Sequence, residues 1–300
     1  MHVMVIVNPG ASRAEAARRE LSQWFSEHAT STFVCTDSIE DLKQALAAHG
    51  ASADRIVIGG GDGTISSALP ELLRLDKPLA VLPLGTANDF ARTLGVPADA
   101  KKAAEVALSG REHRIDIGSV NGRPFLNVAS VGLAAKVTEA QSTKLKRRWH
   151  VLSYLISLWR AVWEARPFYL EVELDGAPAW SGAVYQVSVG NGRFHGGGLT
   201  VSEHAAIDDG TFDLYLVRPG AVWQLLAAAT HLRFGFAQPD LLKRGTAMRV
   251  ILRTAMPRSI NVDGELDGAT PATFELLPGA LTVIVPRALT ADHRGLSKLR

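Results

Sequence analysis

Residues 55–64 read Arg55-Ile56-Val57-Ile58-Gly59-Gly60-Gly61-Asp62-Gly63-Thr64, and residues 66–75, of helical composition, follow directly. A short apolar run entering glycine is what a buried parallel strand looks like at its carboxyl end. Glycines let a backbone turn sharply and approach another group closely. A helix starting behind them offers unpaired N–H groups and the positive end of its dipole. On these residues alone two readings stay open: a tight strand-to-helix connection, or a cradle for phosphate. Asp62 would be misplaced directly against phosphate, but it makes sense if it holds Mg²⁺, or a water on Mg²⁺, beside one. A P-loop is excluded because no Gly-Lys pair occurs in the chain. A dinucleotide fingerprint fails because Thr64 stands where its third glycine belongs.

Outward from this stretch, strand-like and helical segments alternate. Residues 3–7 are a continuous apolar run, 14–28 have helical composition, and 32–34 are strand-like. Residues 37–49 carry Leu42 and Leu46 one helical turn apart, and 79–82 form a further strand. Alternation with short connections predicts an α/β layer on a parallel sheet. The character changes near Arg114. Residues 168–174, 183–189, 212–217, 248–252 and 281–285 alternate with period two, punctuated by Asp175-Gly176, Asn191-Gly192 and Asp209-Gly210. This predicts an antiparallel β-rich second domain, with helices at about 144–165 and 221–236.

A second strand-to-helix loop reads Leu82-Pro83-Leu84-Gly85-Thr86-Ala87-Asn88-Asp89-Phe90-Ala91-Arg92. Thr, Asn and Asp are favoured at helix starts in any case, so alone it reads equally as a capped helix. Two such loops in one parallel sheet place both helix N-termini at its carboxyl edge, where ligands bind.

The bulk composition narrows the class. Three hundred residues exceed what one core usually holds, which predicts two domains. The net charge of +2, without a long Lys/Arg block, excludes a nucleic-acid partner. Cys35 is the single cysteine, so no internal disulfide or cysteine-based metal cluster can form, and a reducing cytoplasm suits the chain. No basic leader precedes residues 1–7, so no secretory signal is expected. No apolar run of about 20 residues is present to span a bilayer.

The motifs resemble the diacylglycerol kinase catalytic family, including bacterial lipid kinases and the related sphingosine kinases. The resemblance rests on Asn8-Pro9, Gly60-Gly61-Asp62-Gly63-Thr64 and Gly85-Thr86-Ala87-Asn88-Asp89-Phe90-Ala91. Later landmarks follow in the same order: Asp116 before Ile117-Gly118, Gly132, Gly196-Gly197-Gly198, Ala205-Ala206-Ile207-Asp208-Asp209-Gly210, and Asp263-Gly264-Glu265. The resemblance implies an α/β nucleotide-binding domain over 1–125, rejoined by about 287–300, with a parallel sheet like that of NAD and diacylglycerol kinases. A C-terminal β-sandwich domain over 126–286 would hold a lipid.

By position, the resemblance assigns ATP contacts to Thr36, Gly59, Gly60, Gly61, Asp62, Gly63, Thr64, Thr86 and Asn88. It assigns catalysis to Glu265, as the base that takes the lipid hydroxyl proton, and to Asp263. For Mg²⁺ it assigns Asp209, with Ala206 and Thr211 through their carbonyls, and a carboxylate network of Asp62, Asp89 and Asp116. Without the resemblance, Asp263-Gly264-Glu265 reads as a charged surface turn. Ser66-Ser67 stands where the family usually has Asn-Glu, and Glu203 where it often has proline, so the role of residue 66 stays open.

The implied activity is transfer of the ATP γ-phosphate, with Mg²⁺, to the hydroxyl of diacylglycerol, phosphatidylglycerol or a sphingoid base. The implied location is the cytoplasm, at the inner face of the membrane. Two other functions stay open: a kinase for a soluble acceptor such as NAD, or a non-catalytic nucleotide- or lipid-binding regulator. Lys144, Lys146, Arg147 and Arg148 lie beside Trp149, Trp159 and Trp163. Such a segment can dock on anionic lipid, or it can cover the sheet with Leu152, Leu155 and Leu158 as core. The sequence leaves the assembly state open, a homodimer included.

Overall fold

The structure, a computed structural model, describes residues 1–8, 14–132, 166–192, 194–195, 199–200, 206–219 and 242–287. The expected helices at 144–165 and 221–236, the glycines 196–198 and the end at 288–300 lie outside these residues.

The first part alternates β1 (His2–Val7), α1 (Ala14–His28), β2 (Thr30–Cys35), α2 (Ile39–His49), β3 (Arg55–Gly60), α3 (Asp62–Leu75), β4 (Leu79–Pro83), α4 (Asp89–Thr93) and α5 (Ala100–Ser109). Strands β2, β1, β3 and β4 pair in parallel in that order. Every residue of β3 and β4 is buried, which is why they read as apolar runs without alternation. Truncating a core residue such as Ile58 to Ala would cost about 2–5 kcal/mol.

Local chemistry sets the helix ends. The Ser38 hydroxyl caps α2 through the Asp41 N–H at 3.1 Å, and Asp99 caps α5 through the Lys102 N–H at 2.9 Å. At the other end of α5, the buried Arg55 donates to the carbonyls of Ala107 and Leu108, and Arg287 donates to that of Ser109. Helix α3 begins four residues before the segment that composition marked as helical. The turn's own Asp62-Gly63-Thr64 already forms its first turn, closed by the Thr64 N–H to the Gly61 carbonyl at 3.0 Å.

The second part is β throughout the described residues. It runs β5 (Arg111–Val120), β6 (Arg123–Phe125), β7 (Val128–Gly132), β8 (Phe168–Leu174), β9 (Ala177–Val184), β10 (Gln186–Gly190), β11 (Phe194–His195), β12 (Leu199–Thr200), β13 (Phe212–Val217) and β14 (Leu242–Ala247). It ends with β15 (Arg249–Thr254), β16 (Ser259–Val262), β17 (Glu265–Ala269) and β18 (Ala272–Val285). One sheet has the order β14-β13-β10-β7-β16-β17; the other continues the parallel sheet through β18, β15, β8 and β9. Apolar side chains from both sheets share a core that includes Phe125, Phe168, Phe212 and Phe274. This is the expected sandwich beside the expected α/β layer.

Residues 183–189 read as one strand, but the chain changes sheets inside them. Up to Val184 it pairs with β8, and from Gln186 it pairs with β7 and β13. Tyr185 makes the crossing, held by its N–H to the Val217 carbonyl at 2.8 Å.

Strand β18 joins the two halves. Its Phe274 and Leu276 belong to the sandwich core, whereas Leu281, Val283, Ile284 and Val285 belong to the α/β core. It pairs with β5 along its length, with a bulge between Leu277 and Leu281, and beyond the bulge it meets β4 in parallel.

Candidate active site

The two strand-to-helix loops lie side by side because β3 and β4 are neighbours, and glycine is required where they touch. A Cβ on Gly85 would come within 2.5 Å of the Gly61 Cα, and one on Gly60 within 2.7 Å of the Thr64 side chain. Gly59, at the end of β3, packs under Leu84 and Val7. Gly63 differs: a Cβ there would meet nothing within 4 Å. Asn88 staples the second loop. It sits in the left-handed region (φ 52°), accepts the Gly85 N–H at 2.9 Å and donates to the Gly85 carbonyl at 2.9 Å.

Asp62 ties one loop to the other. Its carboxylate accepts the backbone N–H of Asp89 at 3.0 Å and of Phe90 at 2.8 Å. Helix α4 is therefore capped by a residue 27 positions earlier in the chain, and its first N–H groups are engaged before any ligand arrives. Of the two helix starts expected to face a phosphate, α3 is the longer, and its glycine turn leaves open space at Gly63. Thr36 directly follows β2 at the same sheet edge, its N–H bonded to the Val7 carbonyl at 3.2 Å. Its buried hydroxyl has no hydrogen-bond partner among the described residues, and such groups are rare unless a ligand or water completes them. Thr86 is exposed at the lip of the second loop. The open surface at Gly63 leaves room for a ligand at the start of α3, and the Thr36 hydroxyl has a hydrogen bond left to make.

A second cluster surrounds Asp209. Its carboxylate closes its own turn, accepting the N–H of Ala206 at 3.2 Å, the N–H of Thr211 at 3.0 Å and the Thr211 hydroxyl at 3.1 Å. Burial pushes this carboxyl above the ordinary range and the neighbouring Asp116 carboxylate adds to the rise, while the three hydrogen bonds oppose it. Asp116 accepts the Gly210 N–H at 2.8 Å and the Gly279 N–H at 2.7 Å, so it ties the Asp209 turn to the β18 bulge. His113 and the buried Asp208, 2.9 Å apart, pin the same turn to β5.

Among the described residues, no three His, Cys, Asp or Glu side chains gather as a metal site. The expected network of Asp62, Asp89 and Asp116 is thus not one cluster. Asp62 and Asp116 are taken up by backbone N–H groups, and Asp89 pairs with Arg92 at 3.5 Å. Asp209 Oδ2 accepts a single N–H and keeps a lone pair for a cation, with the Asp116 charge close enough to act on it. The partial burial and like charge of this pair suit Mg²⁺, which takes one or two carboxylates and otherwise keeps waters and phosphate oxygens.

The third cluster is the β16–β17 hairpin. Asp263 (φ 48°) and Gly264 (φ 96°) both occupy the left-handed region, as a two-residue type I′ turn demands, and Val262 pairs with Glu265 across it. Asp263 is enclosed. It accepts the N–H of Leu126 (2.7 Å), Asn127 (2.9 Å) and Val128 (3.1 Å), together with the Ser66 hydroxyl (2.9 Å). Burial pushes its carboxyl up, against the pull of these four hydrogen bonds. Glu265 stands in the open with 60% of its side chain exposed, and Arg123 Nη2 reaches it at 3.0 Å. The other arm of Arg123 pairs with Asp267.

Sequence reasoning missed Arg123, His113, Asn191 and the partner of Ser66. Asn191 was read as a turn signal. It is buried instead, and its amide donates to the carbonyls of Asp116 (2.8 Å) and Leu126 (3.2 Å). It thereby connects the Asp209 cluster with the segment that encloses Asp263.

Comparison with known proteins agrees with the two-part fold. The diacylglycerol kinase catalytic domain profile matches residues 2–120, and that of the YegS C-terminal NAD kinase beta sandwich-like domain matches 127–285. A diacylglycerol kinase of Bacillus subtilis (strain 168) is 31% identical over 292 residues, covering 94% of this chain and 96% of its own. A Pseudomonas aeruginosa (strain UCBPP-PA14) protein described as "Probable lipid kinase YegS-like" is 33% identical over 285 residues, covering 93% and 90%. The fold matches that of a diacylglycerol kinase from Bacillus anthracis str. Sterne, with TM-score 0.77 and 24% identity over 96% of this chain and 98% of that one. It also matches, more distantly, an NAD kinase from Archaeoglobus fulgidus in complex with ATP, with TM-score 0.56 and 15% identity over 98% and 96%. With both halves and nearly the whole length matched, the chain belongs to the family of diacylglycerol kinases and YegS-like lipid kinases.

Proposed function

We propose that the protein transfers the γ-phosphate of ATP to a lipid hydroxyl. The observation that carries this reading is how α3 joins the other clusters. Asp62 at its start caps α4, and Ser66 one turn later bonds to Asp263, two residues before Glu265. A phosphate loop and an exposed carboxylate are thus fixed to one helix. Phosphoryl transfer asks for this: positioning and charge neutralisation more than covalent chemistry. The lipid acceptor is suggested by the names of the relatives and by the open setting of Glu265.

In this reading Thr36, Gly59 to Thr64, Thr86 and Asn88 line the nucleotide. Asp62 and Asn88 act by fixing the loop backbones, and Gly63 leaves the room a phosphate needs. Glu265 accepts the proton of the attacking hydroxyl, which needs only hydrogen-bond reach in the loaded complex. Asp209, with the carbonyls of Ala206 and Thr211, holds Mg²⁺, and Asp116 shapes that turn. When bound, Mg²⁺ supplies neutralising charge for the phosphate oxygens. The acceptor is diacylglycerol or a relative such as phosphatidylglycerol or a sphingoid base. Among the described residues no helix is long and apolar enough to cross a membrane.

A competition assay tests the acceptor class. Offered Mg²⁺-ATP with mixed-micelle lipids and NAD together, the protein should phosphorylate a lipid and leave NAD untouched. Phosphorylated NAD with unmodified lipids would overturn the lipid reading.

A further inference from the structure

We infer that Ser66 and Asp263 form a latch that holds the Glu265 turn in register with the helix of the phosphate loop. The inference rests on the reading of Glu265 as the base, and it replaces the expectation that Asp263 is itself catalytic.

Each oxygen of the Asp263 carboxylate accepts two donors: Oδ2 from the Ser66 hydroxyl and the Leu126 N–H, Oδ1 from the N–H groups of Asn127 and Val128. Two donors per oxygen match the two lone pairs that each oxygen directs outward. Both oxygens are therefore engaged within the fold rather than turned toward a substrate or an ion. Two of its donors belong to the link between β6 and β7 and a third to the first residue of β7, whose carbonyl accepts the Asp263 N–H in return at 2.9 Å. These bonds fix the hairpin to its own sheet. The fourth donor comes from α3, 197 positions away in the chain, and ties the hairpin to the other half of the molecule. Hydrogen bonds to an enclosed charge are the strong kind and fix direction as well as distance. Because the turn has two residues and a type I′ backbone, the placing of Asp263 dictates where Glu265 leaves the hairpin. Ser66 and Asp263 are thus positioning residues, acting on the reaction through Glu265.

The test pairs amide hydrogen exchange with steady-state kinetics on the full-length protein, for Ser66→Ala, Ser66→Thr and Glu265→Gln. In Ser66→Ala, the amides of Leu126, Asn127 and Val128 should exchange about tenfold faster, as local opening becomes easier. The same variant should lose about tenfold in kcat, the worth of one hydrogen bond to a charged group, with KM for ATP and lipid unchanged. Ser66→Thr keeps the hydroxyl and should restore both readouts. Unchanged exchange in Ser66→Ala would overturn the latch whatever the activity does. Faster exchange with wild-type kcat, while Glu265→Gln is inactive, would overturn its role in positioning and leave the base reading standing. Full activity in Glu265→Gln would overturn the base reading, and with it any positioning of a base by Ser66.

Discussion

The Asp62 carboxylate stands 2.8 Å from the backbone N–H of Phe90, and through that bond the first glycine loop caps the helix of the second. The family's acidic residue in the phosphate loop is here a strut between two loops, whatever else it meets when nucleotide is bound. Only an ionised carboxylate can accept two converging N–H groups without presenting a donor of its own.

Asp62→Asn should therefore affect stability and activity together. An amide directs N–H against N–H at one of the two sites, with an expected loss of about 1–2 kcal/mol, in the range of a lost helix cap. ATP affinity should fall in the same variant. Thermal unfolding and calorimetric ATP titration check this; unchanged values in both would contradict the strut.

The glycines of the same loops should respond in opposite ways. Gly85→Ala drives a methyl into the Gly61 backbone and should lower the melting temperature by several degrees, as overpacking against rigid neighbours does. Gly63→Ala has open space around its new methyl and should fold as well as the parent. It should nevertheless weaken ATP binding, because that space is where a phosphate is proposed to sit. Equal thermal stability of the two variants would contradict the packing argument. Parental ATP affinity in Gly63→Ala would contradict the cradle.

Arg123→Ala removes two surface ion pairs, to Glu265 and Asp267, each worth about 0–1 kcal/mol in such settings, so thermal stability should stay close to that of the parent. Glu265 then loses the group that orients it, and kcat should fall severalfold. Steady-state kinetics with the lipid acceptor decide the point, and a parental kcat would show that Arg123 does not orient Glu265.

Asp263 makes a pH prediction. Burial raises its carboxyl above the ordinary carboxylate range, so the folded state holds the proton to higher pH than the unfolded chain does. The group's contribution to stability is then largest at low pH. It declines as pH rises from about the ordinary carboxylate value through the folded value. The Ser66 hydroxyl bond pulls the other way, so Ser66→Ala should move the Asp263 titration to higher pH. Carboxyl carbon NMR of the two proteins measures this directly; a shift to lower pH in the variant would contradict the assignment.

Much of the architecture could be read before the structure. The apolar runs of β3 and β4 are buried on both faces, so composition alone marks them, and Asp263-Gly264 announces a two-residue turn because both positions need positive φ. The crossing at Tyr185 could not be read, because alternation carries on through it while the pairing partners change. The candidate site was legible as motifs but not as contacts. Ser66 is an unremarkable helical serine until the fold brings it to Asp263, and Arg123 one of many basic residues until β6 sets it beside Glu265. Asp62 and Asp116 were recognised by position, yet their partners are backbone N–H groups, which no residue type advertises.

Transfer of labelled γ-phosphate from ATP, with Mg²⁺, to a panel of hydroxyl-bearing lipids in mixed micelles, by the parent protein and by Glu265→Gln, decides whether the protein is a lipid kinase with Glu265 as its base. Label should appear in at least one lipid with the parent and in none with the variant, although the variant still binds ATP. Equal labelling by both proteins would remove Glu265 from the chemistry, and label in no lipid despite bound ATP would contradict the lipid kinase reading itself.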